Sequence, residues 1–358
     1  MVPADPSRRV FLSIRQHLQR LSKIFPQKEQ ARPRPPNLPG KNNWPTRHIA
    51  CLSMRSRTNI FSQFNNMREE VMKKGILAII CACLLIPSAS YADNLMRDYV
   101  AAPPNTLLSL LYYDHITLDD VDFTEDLFLL REVYYFNVGS YLANAQIIVP
   151  FGHVSTESNS SLEDSSSGIG DAILLGSFWF VNDAKTKTYL AYSPYFFLPT
   201  GDYDQKQAVN MGDNRWAFRE EVNFTKGWEV TPDHNLFFEV TTGFDFYTDN
   251  DEYAGNKNLS KDPRFNLESH ISYDLTKMLT LSFDYYGHWG GATAIDDVDQ
   301  HNAENTQTLG STLALNFAPG WQALIQYKRD VKTADDGPEA EVVQARIFYA
   351  TDFGNLFH

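Results

Sequence analysis

The connections between extended segments constrain this chain most. From Asn105 onward apolar and polar residues alternate with period two, and the runs between turn signals number twelve. They cover approximately 105–114, 127–136, 141–151, 169–181, 186–198, 215–226, 234–247, 263–274, 278–289, 305–317, 320–331 and 341–353. One run places Leu236, Phe238, Val240, Phe244 and Phe246 on one face and Glu239, Thr241 and Asp245 on the other. The connections go long, short, long, short without exception. The long ones are 115–126, 152–168, 199–214, 248–262, 290–304 and 332–340, and the short ones are 137–140, 182–185, 227–233, 275–277 and 318–319. An even number of strands with long loops at one end and short turns at the other is the plan of an antiparallel transmembrane β-barrel, with extracellular loops and periplasmic turns. The runs suit a tilted crossing of the hydrocarbon layer, which takes about 9–11 residues. A soluble β-sandwich uses strands of about 5–6 residues and gives no reason for the alternation.

A barrel in lipid needs no apolar interior, because its outer face meets hydrocarbon while closure pairs every backbone N–H and C=O. That reconciles 24 Phe and 18 Tyr with a mean hydropathy of −0.35. The longest apolar run, Ile76 to Pro87, is too short for an ordinary helical span. The net charge of −13 argues against a nucleic-acid partner.

Charge and cysteine divide the chain. Residues 1–92 hold 15 Lys/Arg against 4 Asp/Glu and all three cysteines, whereas residues 93–358 hold 16 against 40. Met72-Lys73-Lys74, the apolar stretch from Gly75 to Pro87, and Ser90-Tyr91-Ala92 have the three parts of a secretory signal peptide, predicted to be cut before Asp93. Residues 1–71 are read as a non-native upstream extension without structure. Residues 93–104 are read as a periplasmic N-terminal segment, and residues 105–358 as the barrel.

Parity then sorts the barrel's side chains. With the apolar faces toward lipid, the predicted lumen-lining set is Asp171, Tyr189, Tyr195, Arg215, Arg219, Glu221, Glu239, Asp245, Arg264, Glu268, His270, Asp284, His288, Lys328 and Arg346, together with Asp274 and Gln326. Both charge signs occur, so these groups either pair across the lumen and plug it or line a wet path. Tyr189, Tyr195 and Phe197 could stack on an aromatic solute or fill space. Glu220 breaks the pattern by sharing parity with Trp216, Phe218, Val222 and Phe224. A β-bulge or a place near the interface would resolve it. Trp216, Tyr273, Trp321 and Tyr349 suit interfacial girdles. The six long loops hold 22 Asp/Glu and 4 Lys/Arg, which read as a solvated outer surface or as cation-bridged contacts with lipopolysaccharide.

Gly168-Ile169-Gly170-Asp171, Pro194, Leu198-Pro199-Thr200-Gly201-Asp202-Tyr203 and Asn214-Arg215-Trp216 resemble, in order and spacing, the outer-membrane transporter family labelled for the meta-pathway of phenol degradation. The resemblance covers most of residues 105–353. It implies a barrel that passes small, aromatic or hydrophobic molecules across the outer membrane. The last strand, with Phe353 and Phe357 beyond Tyr349, resembles the signal read by the barrel-insertion machinery. The alternatives are a plugged structural barrel and an outer-membrane hydrolase of phospholipase type using His153 and Ser155. A hydrolase needs the pair on one face with an orienting group. No cofactor or metal motif occurs in residues 93–358.

Overall fold

The computed structural model describes residues 93–353, apart from residue 120, residues 158–162 and residues 335–336. The upstream extension, the signal peptide, the cysteines and Phe357 lie outside the described residues. The strands are β1 (Thr106–Leu118), β2 (Phe123–Val138), β3 (Tyr141–Thr156), β4 (Ser165–Ile169), β5 (Ile173–Asp183), β6 (Thr188–Phe197), β7 (Ala217–Thr231) and β8 (His234–Tyr247). They continue with β9 (Asn250–Glu252), β10 (Lys257–Lys261), β11 (Arg264–Asp274), β12 (Leu279–Gly290), β13 (Thr293–Ile295), β14 (Val298–Asp299), β15 (Glu304–Ala318), β16 (Trp321–Lys332) and β17 (Ala340–Asp352).

Thirteen of these build one antiparallel sheet, in which β4 and β5 are two halves of a single crossing on β3, separated by Gly170-Asp171-Ala172. The sheet therefore crosses twelve times. It closes on itself where β1 pairs with β17, in register from Thr106–Asp352 to Leu118–Ala340. Closure removes every long edge, so the backbone is satisfied within the sheet. The short turns are tight. Pro319-Gly320 joins β15 to β16 with Gly320 at φ +76°, and a Cβ there would lie 2.6 Å from the Ala350 carbonyl oxygen. Only glycine fits that turn.

The polarity of the wall is inverted relative to a soluble barrel. Phe283 is 63% exposed, while its neighbours Ser282 and Asp284 are 0% and 3% exposed. Leu111, Leu130, Ile147, Ile271, Ile325 and Ile347 are likewise exposed, each on a different strand. An apolar belt of that extent is a liability in water and is satisfied by hydrocarbon. Aromatic pairs rim it: Trp321 stacks on Tyr349 with centroids 4.6 Å apart, Tyr273 on His234 at 6.0 Å, and Trp216 on Phe218 at 6.3 Å.

Two details differ from the reading of the sequence. The link 115–126 is mostly strand, with only residues 119–122 between β1 and β2, and β3 runs on to Thr156. Outward His115, Thr117, Thr124 and Asp126 are polar, so the apolar alternation fades beyond the belt although backbone pairing continues. Two of the long loops also pair with each other: β9, β10, β13 and β14 form a separate four-stranded sheet. At Glu220 there is no bulge, because β6, β7 and β8 stay in register through it. The carboxylate lies on the outer face near the long-loop end of β7 and accepts a hydrogen bond from the Tyr192 hydroxyl.

Candidate functional site

Residues 93–104 precede β1 and carry no period-two pattern. The structure does not leave their first part as a free periplasmic segment; residues 93–99 run up inside the barrel. Two adjacent prolines, Pro103-Pro104, precede the hydrogen bond from Asn105 N to Tyr135 O that starts the wall. From there the chain rises through Tyr99 and Arg97 to Asp93.

The segment is held mainly by side chains. Asp93 accepts from Lys328 Nζ at 2.8 Å. Asn94 Nδ2 donates to Glu221 at 2.9 Å and to Glu268 at 3.0 Å, and its carbonyl accepts from the Tyr286 hydroxyl. Arg97 pairs with Asp274 at 2.7 Å, donates its backbone N–H to Glu239, and lies 4.4 Å over the Phe237 ring. Asp98 faces Arg346 at 2.9 Å and Arg131 at 3.5 Å. Tyr99 donates to Glu221, while its carbonyl accepts from Trp179 Nε1 at 3.1 Å. Isolated charges would be costly here, and pairing to opposite walls offsets that cost.

Other charges pair along the wall. Arg219 Nε meets Asp245 at 2.6 Å, and Arg264 bridges Asp245 at 2.7 Å and Glu304 at 3.2 Å. His270 Nδ1 lies 2.8 Å from Asp284, which also accepts from Ser282, Thr312 and Gln326. Tyr195 and Phe197 stack at 6.4 Å, with the Arg219 guanidinium 5.6 Å over Tyr195. Tyr189 is buried on the same strand, and His288 Nδ1 sits 2.8 Å from Asn266 Oδ1.

Asp171 and Arg215 stand apart from this network. Asp171 sits in the break between β4 and β5 and accepts the backbone N–H groups of Gly201 and Asp213, each at 2.8 Å. It clasps the 198–216 loop. Burial and the nearby Asp213 charge push its carboxyl up to about 6, against the backbone N–H groups that lower it. Arg215 lies just before β7, its guanidinium 5.9 Å from the Tyr247 ring centroid.

Arg131, Trp179 and Ser193 belong to the plugged interior but were not singled out from sequence. On β2 both faces are apolar, inward Leu127 and Leu129 against outward Phe128 and Leu130, so contrast gives no parity. That ambiguity has a structural counterpart. The interior along β1, β2, β3 and β5 is mostly apolar, with Leu110, Leu127, Leu129, Ile148, Ile173 and Leu175 in one buried cluster with Leu95 and Met96 of the plug, and with Asp114, Glu125, Arg131, Asn144 and Gln146 set among them. The interior along β7 to β16 is charged and hydroxylic. The lumen thus has a more apolar side and a more polar side.

The hydrolase residues do not assemble. His153 Nδ1 contacts Ser167 Oγ at 2.7 Å rather than Ser155, both on the exposed outer wall. Asp126, across from His153 in register, is engaged by the His115 ring at 2.8 Å and the Tyr113 hydroxyl at 2.7 Å. Among the described residues no group of three His, Cys, Asp or Glu side chains is placed to hold a metal ion.

The profile of the family described as "Putative MetA-pathway of phenol degradation" matches residues 114–347. Among solved structures, the COG4313 outer membrane channel from Pseudomonas putida F1 shares 22% identity at a TM-score of 0.67, covering 72% of this chain and 100% of that one. The translocator domain of the autotransporter NalP from Neisseria meningitidis aligns at a TM-score of 0.43 with 11% identity over 82% of this chain and 97% of that one. The KdgM porin gives 0.37 with 10% identity over 67% and 98%. No curated protein sequence matches the chain.

Proposed function

The chain belongs to the family described as "Putative MetA-pathway of phenol degradation", and on that premise we propose that it is an outer-membrane channel for small amphipathic molecules, closed here by its own N-terminal segment. The observation that carries this reading is the uneven lumen: a mostly apolar wall on β1, β2, β3 and β5 and a more heavily charged wall on β7 to β16. A purely structural barrel has no use for such a division, since either wall alone could be packed shut. A solute with an aromatic or aliphatic body and a polar head finds both surfaces along one path. The plug is joined to the wall by side-chain contacts, which water replaces at small net cost, rather than by strand pairing, whose loss would open the sheet. Small aromatic or hydrophobic molecules, the class the family resemblance implies, are the proposed solutes. Lipid and lipopolysaccharide are the proposed surroundings, the exposed apolar belt supporting that location.

Deleting residues 93–101 from the reconstituted protein tests the proposal. The deletion variant is expected to conduct in planar bilayers well above the intact protein while keeping the heat-modifiable migration of a closed barrel. A folded deletion variant with no conductance, in a strain with no uptake defect, would leave a structural barrel as the better reading. Recovery of export-processed protein beginning at Asp93 from outer membrane would support the cleavage and the location together.

A further inference from the structure

Asp93 is the tip of the plug. The segment enters at the short-turn end by Asn105 and ends toward the long loops, where Asp93 meets Lys328 of β16 at 2.8 Å. Its main chain is fixed at the next residue: the Asn94 N–H donates to Glu268 Oε2 at 3.1 Å, and the Asn94 carbonyl accepts from the Tyr286 hydroxyl at 3.2 Å. Covalent geometry then keeps the Asp93 nitrogen within about 4 Å of the Asn94 nitrogen and of its own carboxylate. One oxygen of that carboxylate, Oδ1, is buried without a hydrogen-bond partner among the described residues, and so is Oδ1 of Asp114, 2% exposed on β1. We infer that the lumen holds a binding site for the chain's own α-ammonium: the amino group freed by cleavage before Asp93 lies between the Asp93 and Asp114 carboxylates and latches the plug. The latch, though not the site, rests on the channel reading.

The charges around the tip show what the ammonium adds. Asp114 stands close enough to Lys328 and Asp93 for their charges to act on it, and Gln344 of β17 donates to it. Lys328 alone therefore serves both aspartates. Glu268 and Asp330 extend the negative field at Lys328. Glu268 takes the Asn94 amides, and Asp330 takes the Thr308 hydroxyl at 2.5 Å and the Ala340 N–H at 3.0 Å. Glu304 is paired with Lys261 and Arg264. His288 and Arg219 also act on Asp93, but His288 Nδ1 contacts Asn266 and Arg219 is bound to Asp245. While the chain continues through Ala92, the Asp93 nitrogen is a neutral amide with one hydrogen. Cleavage makes it an ammonium with three donors. Charge-assisted bonds to the two unmatched oxygens are the strong kind, and they remove the cost of leaving buried acceptors empty. Lys328 and the ammonium then match Asp93 and Asp114 charge for charge. Beyond the tip lies a cavity of about 120 Å³, lined by Asp93, Ile116, Phe123 and Val342 among others. One added glycine can enter it without being forced against the wall, so the position of the ammonium can be varied separately from bulk.

Protein isolated from outer membrane is first checked by mass spectrometry to begin at Asp93. Reductive methylation near neutral pH then favours an accessible α-amine, of pKa about 8, over lysines at about 10.4. The α-amine of the folded protein is expected to react at least roughly tenfold more slowly than that of heat-unfolded protein, and Asp114→Asn to erase most of the protection. Single-channel recording reads the latch. Asp114→Asn is expected to raise the ratio of open to closed lifetimes by roughly tenfold. A glycine inserted between Ala92 and Asp93 keeps an ammonium but moves it by about 3.5 Å, and should raise the ratio similarly. The two changes together should do no more than either alone. Additive effects, a folded protein whose terminus methylates as fast as the unfolded one, or a mature chain that starts elsewhere overturns the inference. The folded-against-unfolded comparison on the wild type decides the matter even if Asp114→Asn does not fold. Conductance of the protein lacking residues 93–101 is measured separately. A conducting deletion with a freely methylated terminus in the intact protein refutes the site and leaves the channel standing. A protected terminus in a barrel that never conducts keeps the site and refutes the channel.

Discussion

Asp98 is the contact through which the plug's closure can be weighed. Its carboxylate lies between Arg346 at 2.9 Å and Arg131 at 3.5 Å, and the three side chains are between 4% and 13% exposed. Asp98→Asn keeps the shape and removes the charge. Each arginine retains another partner: Arg131 donates to Gln146 at 2.8 Å, and Arg346 to Gln322 at 2.8 Å. Removing one member of a buried ion pair costs about 3–5 kcal/mol. The surviving hydrogen bonds and partial exposure place this case near the lower end. With the plug withdrawn all three groups are hydrated, so the loss falls on the closed state alone. About 3 kcal/mol corresponds to roughly a hundredfold rise in the ratio of open to closed lifetimes. Single-channel recording in planar bilayers reads that ratio directly. Asp233→Asn, which removes the partner of Lys277 on an exposed short turn, is the control and should change nothing. If Asp98→Asn leaves the dwell times of the intact channel unaltered while deletion of residues 93–101 opens it, the paired charges are not the latch.

Three further outcomes follow from the wall and the loops. Asp171 has a folded-state pKa raised to about 6, so its contribution to the loop clasp is complete below the ordinary carboxylate range and is lost as pH rises through about 6. Hydrogen-exchange protection of the Gly201 and Asp213 amides, corrected for intrinsic rate, should fall across that interval, and Asp171→Asn should flatten the dependence. Gly201→Ala should lower the temperature of the heat-modifiable transition by the equivalent of about 1–3 kcal/mol, because its Cβ would meet the backbone of Gly170, Asp171 and Gly212 within 2.8 Å; an unchanged transition would show that the loop yields freely. Tyr192→Phe should destabilise by about 1–3 kcal/mol by leaving the outward Glu220 carboxylate without its donor, and the double variant with Glu220→Gln should lose less than the sum of the two.

What the sequence determined here is whatever depends on neighbours along one strand. Period-two alternation assigns faces by geometry, so twelve crossings and the inversion of polarity at Phe283 or Ile325 were legible without any partner strand. The family resemblance was also carried locally, by glycines and aspartates that the structure shows clasping one loop around Asp171. What only the tertiary structure decided is which residues meet across the lumen. Asp98 and Arg346 are 248 positions apart, and Asn94 and Glu268 are 174 apart. Parity says that Arg346 and Glu268 point inward, but it cannot say which groups they meet. That depends on closure of β1 onto β17 and on a segment with no periodicity of its own. Residues 93–104 read as a periplasmic N-terminal segment because nothing local marks them as a plug; their partners exist only once the barrel is closed around them. Arg131 was hidden for the converse reason, since a strand apolar on both faces gives no contrast until the closed barrel distinguishes the plugged lumen from lipid.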